Sequence, residues 1–146
     1  MVKDNIGAAL NLEEPGRLKV VVLQGVRYRV MEEPSIKGRL FRALLAEWGR
    51  EAFNEELPDM VRWNWKVETM RISDIKVWDE LMRDAAFVSE LEERIKMHKD
   101  LITQGEDIEP IVVRGRDMVI YDGYARLHAL KQLGKDEILA YVGRDP

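Results

Sequence analysis

Residues 110–134, PIVVRGRDMVIYDGYARLHALKQLG, carry more structural information than any other stretch of the chain. Pro110 to Val113 and Met118 to Tyr121 are β-branched and apolar with Gly115 between them, so they read as two short strands joined by a hairpin. Gly123 then opens a helical pattern that Gly134 closes. The first N–H groups of a helix have no intrahelical acceptor, which makes a helix start a ready anion site. Arg126 lies one turn in, where its guanidinium can fork onto a phosphate, and Asp122 stands at the strand end, placed to hold a metal ion or the proton of a hydroxyl. Together these residues make a nucleotide cradle. A phosphate can enter it only if the corner is open and the Arg126 guanidinium is not locked in an internal ion pair.

Composition sets the outer limits. The 146 residues suffice for one domain with a sizeable core or for a domain with an elaboration. Hydrophobic residues make 46% and charged residues 34% of the chain, with no low-complexity run, so an ordinary globular protein is expected rather than disorder. The net charge of −4 disfavours wholesale nucleic-acid binding and leaves room for a local basic patch only. With no cysteine, disulfides, zinc fingers and thiol catalysis are excluded, and two histidines make a histidine-rich metal site improbable. No apolar run approaches the roughly 20 residues needed to span a bilayer, and the N-terminus lacks the apolar core of a signal peptide, so a cytoplasmic protein with no membrane partner is expected. Many charges without cysteine are compatible with an archaeal or thermophilic source.

Along the chain, Met1 to Gly16 ends in a Pro15-Gly16 turn pair and reads as a loosely docked start. Leu18 to Leu23 and Val26 to Met31 are strand-like runs around Gln24-Gly25, with Val26, Tyr28 and Val30 on one face and Arg27 and Arg29 on the other. A helix starting at Glu33-Pro34-Ser35 carries Leu40, Leu44, Trp48 and Phe53 at helical spacing and is expected to stop near Leu57-Pro58. Lys66 to Val77 reads as a strand broken at Ser73-Asp74, with a boundary at about residue 65. Ser89 and Glu92 form a capping box before a helix with Leu91, Ile95, His98 and Ile102 on one stripe, which Gln104-Gly105 ends. Glu137 to Val142 gives a further strand.

The order of a strand, a helix, the Glu109-Pro110-Ile-Val-Val113 strand, the Ile120-Tyr121-Asp122-Gly123-Tyr124-Ala125-Arg126 turn, the Ala129-Leu130-x-x-Leu133-Gly134 helix end and the Ile138 to Val142 strand resembles the ParB/sulfiredoxin fold family over residues about 66 to 143. The resemblance implies an α+β fold, a small mixed sheet with packed helices, over residues 66–146. Residues 1–65 then form an N-terminal extension of a β-hairpin plus a helix. Sulfiredoxins place a nucleophilic cysteine directly after the glycine, where this chain has Tyr124, so sulfinic-acid repair is ruled out. Partition ParB proteins bind and hydrolyse CTP with a Glu and an Arg where this chain has Tyr124 and Ala125. Asp122, Gly123 and Arg126 match the Asp-Gly-x-x-Arg of the free serine kinase branch, with Tyr124 and Ala125 replacing its two histidines.

That resemblance implies a nucleotide (ATP, ADP or CTP) held by Gly123, Tyr124, Ala125 and Arg126, with Mg2+ on Asp122 and phosphoryl transfer to a small hydroxyl substrate, or nucleotide hydrolysis. It also implies that an acidic residue before the first helix activates the hydroxyl, which corresponds to Asp84 with Glu80 as its neighbour. Bland readings stand beside these. Asp122 is suited equally to capping the helix, Tyr124 to packing, and His98 and His128 to structural roles. Two other functions compete. One is a DNA-associated ParB-like module reading duplex through Arg27, Arg29, Lys37, Arg39 and Arg42, and the other is a non-catalytic, ligand-sensing or oligomerising scaffold of the same fold; a homodimer is compatible with the sequence.

Overall fold

The computed structural model describes residues 18–31 and 36–146. The expected loose start at Met1 to Gly16 and the helix start at Glu33-Pro34-Ser35 lie outside them.

Strands β1 (Leu18–Leu23) and β2 (Val26–Met31) form the expected antiparallel hairpin, with Leu23 opposite Val26. Both turn residues take positive φ, 50° at Gln24 and 77° at Gly25, the backbone form whose twist matches paired strands. Gln24 is an unusual residue there, and its side chain compensates. Its Oε1 accepts from the N–H groups of Asp136 and Glu137, each at 3.2 Å, and its amide nitrogen donates to the Asp136 carboxylate. Val26, Tyr28 and Val30 are buried while Arg27 and Arg29 are exposed, as the alternation predicts. β2 also bridges to Ile108, whose N–H reaches the Arg27 carbonyl at 2.9 Å.

The next segment is two helices rather than one: α1 (Ile36–Trp48) and α2 (Arg50–Arg62). Gly49 separates them with φ 81°, a left-handed position that glycine tolerates and that ends any α-helix. Pro58, expected as the terminator, lies inside α2. An internal proline costs about 3 kcal/mol, and burying a side chain such as Phe53 or Met60 returns roughly 1.5–3 kcal/mol each, so tertiary packing carries the helix through it. Phe41 of α1 meets the edges of Phe53 (centroids 6.2 Å apart) and Trp65 (6.3 Å).

β3 (Asn64–Arg71) leads through a 3-10 turn (Ile72–Asp74) to the short α3 (Asp79–Met82) and the long α4 (Ala85–Thr103). α4 starts five residues earlier than the Ser89 capping box predicts. Asp84 caps it instead, its carboxylate accepting the Phe87 N–H at 3.0 Å. β4 (Ile111–Arg114), β5 (Val119–Asp122), α5 (Tyr124–Gln132) and β6 (Glu137–Arg144) follow. Both hairpin strands fall one residue later than their apolar runs suggest.

The class is α+β with a four-stranded mixed sheet in the order β3-β6-β4-β5. β6 pairs antiparallel with β3 and parallel with β4, and β4 pairs antiparallel with β5. Ile138 to Val142 are all buried, so β6 is covered on both faces, which is why its sequence is continuously apolar rather than alternating. In the β4–β5 pair Val112 opposes Asp122 and Val113 opposes Ile120, leaving Tyr121 as the extra residue of a bulge beside the strand end. Residues of the hairpin, α1, α2 and the sheet share one continuous hydrophobic core. No helix among the described residues is long and apolar enough to cross a membrane.

Candidate functional site

A cavity of about 680 Å³ opens where β5 turns into α5, a volume within the range of small-molecule sites. Seven consecutive residues, Ile120 to Arg126, line it. Four of them are the proposed phosphate cradle, Gly123 to Arg126, and they are joined by Asp122. One wall is α4, contributing Phe87, Glu90, Leu91, Arg94, Met97 and His98 from a single helical face. The facing wall comes from α1 and α2, as Trp48, Ala52, Glu55 and Glu56, and Trp78 and Leu81 complete the rim. Part of residues 1–65 thus builds the site.

The corner is held by local chemistry. Gly123 has φ 107°, and a Cβ there would stand 2.5 Å from Ile111 Cγ2 and 2.9 Å from Arg126 Nη2, so both backbone and space demand glycine. The first bond within α5 runs from the Leu127 N–H to the Gly123 carbonyl at 2.9 Å. The N–H groups of Tyr124, Ala125 and Arg126 therefore belong to the turn that has no intrahelical acceptor. Arg126 donates from Nη2 to Asp122 Oδ2 at 3.2 Å, with side chains only 14% and 21% exposed. The guanidinium is thus engaged internally, contrary to what a ready phosphate clamp requires. The contact is single rather than forked, and the buried Arg126 Nε–H has no partner.

Tyr124 packs. Its ring stands edge-on to Phe87 at 5.5 Å, and its hydroxyl accepts the main-chain N–H of Trp78 at 3.2 Å. Burial pushes its phenol above the ordinary value. Tyr121 is fixed from two sides: its carbonyl accepts the Trp48 indole N–H at 3.1 Å, and its hydroxyl donates to Glu56 at 3.0 Å. The Trp48 ring is edge-on to Tyr121 at 4.9 Å. His98 lies on the cavity wall, donating Nδ1–H to the Arg94 carbonyl at 2.9 Å. Burial, aided by the charge of Arg126, lowers its pKa and keeps the ring neutral near pH 7.

The structure does not bring Asp84 and Glu80 to this place. Both are exposed and neither lines the cavity, although their neighbours Leu81 and Phe87 do. The carboxylates that do line it are Glu55, Glu56, Glu90 and Asp122, set against the guanidiniums of Arg94 and Arg126. Sequence reasoning missed the first three, along with Trp48 and Trp78. The spacing of Phe87, Glu90, Arg94 and Met97 was a readable second stripe on α4, whereas the approach of α2 left no local signal. Among the described residues no group of three or more His, Asp or Glu side chains is placed to hold a metal ion, so a resident metal does not fit, and a divalent ion on Asp122 would have to arrive with the ligand.

Three of the basic residues that a DNA surface would use are engaged as well. Arg27 pairs with Asp107 at 2.8 Å and Arg29 with Glu109 at 3.6 Å, while Lys37 donates to the Val61 carbonyl at 2.7 Å. Arg42 is exposed.

The order strand, helix, strand, hairpin strand, Gly-x-x-Arg helix, strand is present element by element from β3 to β6. In fold, the chain is similar to ParB N-domains and to sulfiredoxin. A Pnob8-like ParB-N domain is 24% identical over 57% of this chain (TM-score 0.42), and a second structure of the pNOB8-like ParB N-domain is 26% identical over 55% (TM-score 0.37). Sulfiredoxin from Arabidopsis thaliana is 21% identical over 56% (TM-score 0.43). The matched part spans 31% and 28% of the two ParB chains and 86% of the sulfiredoxin. No protein-family model and no curated protein matches the chain.

Proposed function

We propose that the cavity binds a mononucleotide together with a divalent cation such as Mg2+, its phosphates against the start of α5. The observation that carries this reading is the convergence of Gly123 to Arg126, a glycine-led helix start with a cation one turn in, on a cavity of nucleotide size whose other walls combine aromatic and apolar side chains with charged ones. Four carboxylates against two guanidiniums make the cavity unfavourable to a bare polyphosphate, so the ligand enters as its metal complex. Asp122 would hold the ion, whose charge would offset that of the polyphosphate, and Arg126, which sits on Asp122 through one 3.2 Å contact, would serve a phosphate oxygen, a stronger and two-pronged partner.

ATP, ADP and CTP all satisfy this description. Transfer to a small hydroxyl substrate needs a base beside the ligand, and the carboxylates on the wall, Glu55, Glu56 and Glu90, meet that need better than Asp84 or Glu80. Isothermal titration of the three nucleotides with and without Mg2+ tests the reading. Binding that requires Mg2+ and weakens about tenfold or more in Arg126→Ala, a loss of about 1.4 kcal/mol, is expected. No binding at millimolar nucleotide with Mg2+, or equal binding by Arg126→Ala, overturns it.

A further inference from the structure

We infer that Trp78 is the platform on which the planar ring of the ligand stacks, an assignment that rests on the nucleotide reading and adds the recognition of the base to it. Of the four tryptophans, Trp63 and Trp65 are buried, and Trp48 is tied by its indole N–H to the Tyr121 carbonyl. Trp78 alone among them is more than half exposed, at 52%, and yet it lines the cavity. Large apolar side chains left in water at the mouth of a cavity mark contact surface rather than core.

Its position is built into the sheet. Lys76 bridges in parallel to Val119, with the Lys76 N–H on the Met118 carbonyl and the Ile120 N–H on the Lys76 carbonyl, each at 2.9 Å. The strand-like segment leading to Trp78 therefore runs beside β5 in the same direction and delivers Trp78 level with the end of that strand. The main-chain N–H of Trp78 then reaches the hydroxyl of Tyr124, the first residue of α5. That bond ties the Trp78 backbone to the first residue of α5, so the indole is carried by a segment anchored beside the proposed phosphate subsite. Stacking on an indole face uses the π-surface common to all bases, so the site selects for a ring and discriminates weakly among rings, purines binding above pyrimidines.

The test separates the two halves of the ligand. ADP with Mg2+ and pyrophosphate with Mg2+, which has no ring, are titrated into the wild type, Trp78→Ala and Trp78→Phe, with the unfolding midpoint of each variant recorded to show that the fold is intact. The expected result is at least a tenfold loss of ADP affinity in Trp78→Ala, recovery of most of it in Trp78→Phe, and unchanged pyrophosphate affinity throughout. ADP should also quench tryptophan emission in the wild type and not in Trp78→Phe. ADP bound as tightly by Trp78→Ala as by the wild type, or an equal loss for pyrophosphate, overturns the inference and leaves the nucleotide reading standing. Failure of the wild type to bind either probe overturns both.

Discussion

The Asp122 carboxylate and the Arg126 guanidinium, one helical turn apart, meet through a single contact of 3.2 Å at the mouth of α5. Each blocks the other: the acid occupies the cation that a phosphate would seek, and the cation occupies the acid that a metal would seek. Asp122→Asn removes the charge that holds Arg126 and keeps an acceptor of the same shape. This variant is expected to bind ADP about tenfold more tightly than the wild type in the absence of divalent ions, and to lose most of its dependence on Mg2+. Titration in the presence of a chelator reads the effect directly. Unchanged affinity would mean that the pair does not govern phosphate access.

Gly123→Ala should destabilise the fold. A Cβ at φ 107° meets Ile111 at 2.5 Å, so the substitution combines backbone strain with overpacking, and a loss of about 2–3 kcal/mol is expected in urea denaturation. Ile111→Ala opens the fully buried core and is itself costly, so the contact is read from a double-mutant cycle, in which the combined loss falls below the sum of the two single losses.

Both histidines titrate below their ordinary value of 6.5 because burial disfavours the imidazolium. As pH falls through that value the unfolded chain takes up protons before the folded one, so stability is fully present above it and declines below it. The urea midpoint is expected to drop between about pH 7.5 and about pH 5.5, and the double variant His98→Gln/His128→Gln to flatten that slope. Hydrogen bonds from Arg114 and Arg144 hold Asp117 and Glu68 below their ordinary values of 3.8 and 4.5. Their contribution persists to more acid pH and leaves the histidine window clear. A midpoint independent of pH across it would contradict the assignment.

Most of the sheet was legible in the sequence, because each of its elements carries a local signal: the Gln24-Gly25 break, the apolar runs around Gly115, and Gly123 and Gly134 bracketing α5. The misjudged boundaries are those where tertiary packing outweighs local chemistry, as at Pro58, or where two local signals compete, as with Asp84 and Ser89 for the cap of α4. The corner of the site could be read from Asp122 to Arg126 alone. The charge of the cavity could not, because Glu55 and Glu56 reach it from a distant helix, as the bond from Tyr121 to Glu56 across 65 residues of sequence shows.

The same long-range bonds make the two halves of the chain interdependent. The Met31 N–H reaches the Tyr141 hydroxyl at 2.9 Å, Trp48 reaches the Tyr121 carbonyl and Gln24 clamps Asp136, each across more than 70 residues. A fragment of residues 66–146 is therefore expected to lack the single cooperative unfolding transition of the full chain and to bind no nucleotide, which thermal melting followed by circular dichroism and titration would show. A cooperative transition in the fragment would refute this. Gln24→Ala in the full chain is expected to cost about 0.5–1.5 kcal/mol, the net worth of the exposed hydrogen bonds it removes.

β6 follows every other strand of its sheet in sequence and yet lies between β3 and β4. A nascent chain emerging from the ribosome must hold β3 and the β4–β5 hairpin apart until residues 137–144 arrive to zip them together. Until then both carry raw strand edges of the kind that recruit holdase chaperones or seed aggregates. Premature termination upstream of residue 137 should accordingly deliver insoluble or rapidly degraded product rather than a shortened binding protein.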